Sequence, residues 1–215
     1  IAGLEQLRGK KVGVSRLGAV SHLTADSILR RARVGDVTII QTGGIPESMA
    51  ALMTGNVDGA MVNPPNNIIL REKGFREIVG AKQLKELNLR FPENGVMAKR
   101  TWAEKNSDVV KRFVKSLAEA LKRMHDDKDF AIKTLGKFTK VSDGKSLEES
   151  YRWGIDSFFK DFKTPPEAMR LMVDQLVSSR MIDPVLAQKT PLTAYYENRY
   201  VEELEKEGFF KKLWQ

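Results

Sequence analysis

Three short segments hold the residues best suited to gripping a small polar molecule. Ser15, Gly18, Ala19, Val20, Ser21 and His22 fall in the first, Gly43 and Gly44 in the second, and Asn63, Pro64 and Pro65 in the third. Hydroxyls, an amide, glycines that let a ligand approach the backbone and prolines that open helices form a set that binds rather than reacts. Each segment follows a strand-like run and precedes a helix-like run. In open parallel sheets ligands bind at such places, because unpaired N–H groups and the positive helix end favour an anion or a carbonyl oxygen. Taken singly, each segment also reads as an ordinary turn or cap, with Ser21 capping a helix and Pro64 and Pro65 starting one. Recurrence at three successive strand ends favours the ligand reading. His22 lies in the first turn of its helix and has two open readings, as a donor to a ligand or as a packed surface histidine.

Reactive constellations are absent from the sequence pattern. No partnered Ser–His–Asp set is evident, and no acidic pair is suggested by spacing. Gly3 and Gly9 followed by Lys10 and Lys11 superficially form a phosphate loop. Five residues separate the glycines instead of four, Lys11 replaces Ser/Thr, and the segment precedes its strand. His125 lies close to Asp126, Asp127 and Asp129, but a single imidazole there reads as a polar turn after a helix. The expectation is a binding protein without catalytic residues, metal or cofactor.

Composition narrows the class. The chain has 215 residues, 41% apolar and 30% charged, which fits neither a disordered chain nor a membrane bundle. It contains no cysteine, which removes disulfide scaffolds, zinc ribbons, Fe–S clusters and cysteine nucleophiles together. The net charge is +8 and the pI about 9.6. The densest basic clusters, Arg8/Lys10/Lys11 and Arg30/Arg31/Arg33, carry no interleaved aromatics, so they read as solvated faces and no nucleic-acid partner is expected. No apolar run approaches the ~20 residues of a membrane helix, and no signal peptide is visible. The chain opens on Ile1 rather than Met, so removal of an upstream piece is expected.

The elements that must position these residues follow from periodicity. Strands are expected at 11–15 (KVGVS), 37–41 (VTIIQ), 57–62 (VDGAMV), 76–79 (REIV) and 95–99 (GVMAK), with helices at 20–33, 46–54 and 64–73. Leu23, Ile28, Leu29 and Ala32 give the first helix its apolar side. Pro46 opens the second, Met49, Leu52 and Met53 form its buried stripe, and Gly55 stops it. Alternation of strand and helix implies right-handed crossovers and a parallel sheet. From about residue 100 the pattern is helical. Asn106 or Ser107 caps a helix with Val110, Phe113, Val114, Leu117 and Leu121 on one side. Capping boxes at Ser146–Glu149 and Thr164–Glu167 open two more, and a last helix starts near Thr193. The expected class is α/β, with a lobe over residues 1–97 and an all-helical segment over 98–215.

The same residues carry a family resemblance. Leu7, Gly9, Lys10, Lys11, Val12, Gly13 and Val14 resemble the "L-x-G-K-K-V-G-V" opening of the second lobe in ABC-transporter solute-binding proteins, in particular the nitrate/sulfonate/taurine and thiamine-pyrimidine-precursor binding group. Gly18 and His22 are similar to that group's "G-S-x-x-H" loop. The run from Met49 to Ala60 resembles "A-A-L-x-x-G-x-V-D-A-A". Asn63-Pro64-Pro65 lies where the group often has an acidic residue and then proline. Trp102 to Phe113 resembles its "N-P-x-x-V-x-x-F" helix.

The resemblance implies a type II periplasmic-binding-protein fold, in which two α/β lobes close over a small ligand and deliver it to an ABC permease in the membrane. It implies ligand contacts at Gly18 to His22 and at Asn63 to Pro65, a returning crossover near Asn94 to Met97, and a periplasmic or extracellular place, lipid-anchored in Gram-positive hosts. Ala19 stands where sulfonate binders often carry Ser, which removes a hydroxyl contact. Only nine residues precede Lys10, where family members carry a first lobe. A lone lobe with its tail would leave apolar stripes uncovered, so a homodimer, exchange of elements or a rearranged tail is expected. Two other classes share the fold. Thiamine-pyrimidine synthases carry a cysteine-rich motif that this chain lacks, and menaquinone-pathway enzymes would be recognised by turnover. LysR-type effector domains end by returning to strands, whereas this tail is helical.

Overall fold

The computed structural model describes residues 1–86 and 95–215. The chain alternates β1 (Lys11–Val14), α1 (Val20–Arg31), β2 (Thr38–Gln41), α2 (Ile45–Met53), β3 (Gly59–Ala60) and α3 (Asn66–Glu72). The three strands are parallel in the order β2-β1-β3. Val12 pairs with Ile39 on one side and with Gly59 on the other. Backbone bonds from Asp58 N to Lys11 O (2.8 Å) and from Met61 N to Gly13 O (2.9 Å) continue the pairing beyond both ends of β3. The central strand is covered on both faces: Val12 and Val14 are buried, and a Cβ at Gly13 would meet Thr42 and Val57. Near-continuous apolar strands of this kind belong to parallel sheets.

The core of this part forms where expected. Leu23, Ile28 and Leu29 of α1 are buried, and Leu29 packs with Leu7, Val12 and Val34. The second helix differs from its expected stripe. Its buried residue is Ser48, while Met53 is 43% exposed. The reason is a polar requirement: Ser48 Oγ bonds Thr42 Oγ1 at 2.6 Å and Gly44 O at 2.9 Å, so this face of α2 ties down the preceding turn.

Two expected strands do not form. Residues 76–79 are irregular, and Ile78 packs instead beside the Leu7 cluster. Residues 95–99 are also irregular and exposed, with Met97 96% accessible. An apolar run makes a strand only when a partner edge receives its backbone groups. The expected crossover near Asn94 to Met97 begins outside the described residues. A short helix, α4 (Ala81–Glu86), follows α3.

The remaining helices are α5 (Arg100–Lys105), α6 (Ser107–Asp126), α7 (Lys128–Thr139), α8 (Gly144–Ser157), α9 (Pro166–Ser178), α10 (Pro184–Lys189), α11 (Arg199–Lys206) and α12 (Phe209–Leu213). Two caps differ from expectation. Asp143, not Ser146, caps α8, because its carboxylate accepts the Ser146 N–H at 2.6 Å. Thr164 stays outside α9, holding Asn198 by paired bonds of 2.9 and 3.0 Å. The helix α7, which the sequence reading passed over, is capped by Asp127, whose side chain accepts from Phe130 N at 3.0 Å.

The chain divides into two compact units, Ile1–Glu93 with Arg170–Thr190 and Asn94–Met169 with Pro191–Gln215. The division falls within α9, so residues 170–190 lie with the α/β sheet. In the first unit Leu171 and Met172 pack against Ile28 alongside Val20 and Met61. Asp26 then fixes the end of α9, accepting from Gln175 Nε2 at 2.7 Å and Ser179 Oγ at 2.9 Å, while Arg30 donates to Ser178 O at 3.1 Å. In the second unit α11 packs on α6 through buried Tyr200, Val201 and Leu204, and Lys111 bridges to Glu203 and Glu207.

Candidate functional site

Parallel order places the ends of β1, β2 and β3 on one edge of the sheet. Neighbouring strands stand ~4.8 Å apart, so the loops that leave them begin close together. The chain runs from β1 outward to β2 and returns past β1 to β3, which makes the β1/β3 junction a topological switch point. Two bonds tie the first loops: Gly43 N donates to Ser15 O at 2.9 Å, and Leu17 N donates to Gln41 Oε1 at 3.1 Å.

The β1–α1 loop is the best equipped. Ala19 is the N-cap of α1 and offers no side-chain acceptor, and the first turn contains no acid. Among the described residues, the backbone N–H groups of Val20, Ser21 and His22 have no hydrogen-bond partner. Three successive free donors at the positive end of a twelve-residue helix form a cradle for negative charge. The Val20 side chain points the other way, into the cluster around Ile28.

The polar side chains of the loop add donors. Ser15 and Ser21 share a hydroxyl–hydroxyl bond of 2.7 Å, and Ser21 Oγ also accepts the Ser15 N–H at 3.1 Å. One of the two hydroxyl hydrogens serves that bond, which leaves the other to donate elsewhere. His22 Nδ1 accepts the Gly18 N–H at 3.0 Å. A neutral imidazole accepting at Nδ1 carries its hydrogen on Nε2, so His22 presents an N–H donor. The ring thereby holds the loop at Gly18, which is compatible with both sequence readings of His22. Gly18 is needed here, since its φ of +82° is left-handed. Arg16 is exposed in the same loop; its carbonyl accepts the Ala19 N–H at 3.2 Å, and its guanidinium has no ion pair or hydrogen bond among the described residues.

The other two loops are different. Gly43 has φ +113°, and Gly44 is extended. The Glu47 carboxylate folds against Gly44 in the first turn of α2, so this helix end already holds a negative charge of its own. Asn63 is exposed, and its carbonyl accepts from Asn66 N at 2.8 Å, while its side-chain amide has no partner among the described residues. Pro64 and Pro65 are half-buried and joined by a cis peptide bond. Electrostatically the three loops therefore differ: the helix end at Ser15 to His22 has no acid in its first turn, the one at Gly43 and Gly44 carries Glu47, and the loop at Asn63 to Pro65 is neutral.

Two residues of this region were not singled out by the sequence reading. Arg16 was visible as a charge inside the loop. Met181, which lies against Gly18, follows it by more than 160 positions and no local pattern points to it.

The remaining motifs resolve simply. Gly3 to Gly9 spans a short 3-10 turn before β1. His125 sits near the end of α6, where Asp126 pairs with Lys122 and Asp127 with Arg123. Among the described residues no group of three or more His, Cys, Asp or Glu side chains gathers as a metal site. The His125 ring meets Trp214 edge to face with centroids 5.5 Å apart, and its Nε2 is buried without a partner. Burial first, and Lys160 second, hold this imidazole below its ordinary value. No described helix is long and apolar enough to cross a membrane.

No curated protein and no solved structure matches the chain. A family model described as NMT1/THI5 like matches residues 1–131, which is more than half of the chain and includes all three loops. This chain belongs to the NMT1/THI5-like family, within the nitrate/sulfonate/taurine and thiamine-precursor binding group, and has the substrate-binding fold of that group.

Proposed function

We propose that the chain captures a small organic anion and releases it chemically unchanged, as the solute-binding component of an ABC importer working in the periplasm or at the cell exterior. The observation that carries this reading is the start of α1, where among the described residues the Val20, Ser21 and His22 amides lack partners and the first turn holds no carboxylate. The spare Ser15/Ser21 hydroxyl hydrogen and His22 Nε2–H converge on the same loop. Arg16 supplies the long-range attraction that raises the local concentration of anions. Asn63, Pro64 and Pro65 are the neutral counterpart across the switch point, giving an amide and apolar ring surfaces for the uncharged part of the solute. Gly43 and Gly44 act as spacers, because Glu47 repels a second negative group there.

A donor set without a nucleophile–base pair favours binding over turnover. The test is titration calorimetry of the chain with sulfonates, carboxylates and pyrimidine phosphates, followed by mass spectrometry of the released compound. Saturable binding of one anion class with unchanged mass supports the reading. Conversion of the compound would move the chain to the enzymes that share the fold, and absence of binding by any anion would remove the proposed chemistry.

A further inference from the structure

The β1–α1 loop is not bare on its outer side. A Cβ at residue 18 would stand 2.6 Å from Met181 Cε and 3.0 Å from Met181 Sδ, so the thioether lies directly on the Gly18 backbone. Met181 is nonetheless 43% exposed, which leaves part of its side chain free to touch something else. Its placement is fixed. The Asp26 carboxylate holds Gln175 and Ser179, Arg30 holds the Ser178 carbonyl, and Arg180 turns the chain at φ +57°. The Met181 amide then donates to Leu176 O at 2.8 Å. A segment far along the sequence is thus clamped to α1 so that one flexible apolar side chain ends at the loop with the free amides.

We propose that Met181 is a specificity-determining residue of the anion site, its thioether forming the apolar wall against which the uncharged portion of the solute packs. This inference rests on the binding reading above. The amides and hydroxyls hold the charged group, and they treat all anions of one charge and shape alike. Discrimination then comes from what lies beside the charge. Methionine suits that position, since an unbranched polarisable chain adapts to ligands of different outline.

The experiment uses the full chain and an n-alkyl series, methane-, propane- and pentanesulfonate with the matching carboxylates, titrated into wild type, Met181→Ala and Met181→Leu. In wild type each added methylene raises affinity about threefold to fourfold, the value for burying one such group. In Met181→Ala this increment falls to near onefold, and in Met181→Leu it persists, because leucine keeps the apolar volume. A merely structural role would shift every member of the series by the same factor. An identical methylene increment in all three proteins overturns the inference while leaving anion capture standing. Failure of the wild type to bind any member overturns both.

Discussion

The hydroxyls of Ser15 and Ser21 meet at 2.7 Å across the β1–α1 loop, and the Ser21 oxygen also takes the Ser15 amide at 3.1 Å. This pair fastens the end of the central strand to the first turn of the helix whose amides are free. Ser21→Ala removes an acceptor from a half-buried N–H and a donor from the cradle. Stability is expected to fall by about 1 kcal/mol, the net worth of a typical hydrogen bond. Anion affinity is expected to fall roughly tenfold, matching ~1.4 kcal/mol for a lost charge-assisted donor. Urea unfolding with and without ligand separates the two losses. Equal unfolding midpoints for variant and wild type would remove the structural half of the claim.

Gly18→Ala tests the loop conformation. Alanine at φ +82° is strained by about 1–2 kcal/mol, and its Cβ also meets the Met181 thioether. The second effect disappears in a Met181→Ala background. A double-mutant cycle is therefore expected to show coupling of about 0.5–3 kcal/mol between positions 18 and 181. Additive losses would mean that the contact carries no energy.

His125 gives the second unit a pH dependence with a definite sign. Its imidazole is held below the ordinary value of 6.5, by burial first and by Lys160 next, with Lys122 acting in the same sense and Asp126 and Asp156 opposing. The unfolded chain therefore binds this proton more readily than the folded one. Stability from this group is complete above pH 6.5 and declines as pH falls below it toward the lowered folded value. Thermal melts between pH 8 and 5 are expected to show a drop that His125→Gln reduces. The Trp214 ring beside His125 gives a fluorescence signal for the same event. A drop of equal size in the variant would assign it to other groups.

Local signals in the chain were enough for much of this architecture. The order of strands and helices through residue 72, the core side of α1 and the loops at the strand ends follow from periodicity and helix stops. Residues 95–99 misled because apolar content does not reveal whether a neighbouring edge exists to pair with. Ser48 was hidden because its burial serves a hydrogen bond to Thr42 rather than apolar packing. At α8 two candidate caps lie three positions apart, and the Asp143 carboxylate accepts the Ser146 N–H, so the helix begins at Gly144, ahead of the cap expected at Ser146. The contact of Met181 with Gly18 depends on a clamp at Asp26 made by residues about 150 positions away, which no short window contains. At the candidate site, residue types drew attention to Ser21 and His22, and the structure places both in the first turn of α1. Only coordinates reveal that Glu47 fills one helix end and leaves the other free.

The central claim concerns the amides of Val20, Ser21 and His22. An amide NMR titration of the chain with an organic anion reads them one by one. The account predicts saturable shifts concentrated on these three signals and on Gly18, with the amides at the start of α12 unmoved. Shifts spread without saturation over the lysine-rich helices, or none at residues 18–22, would contradict it.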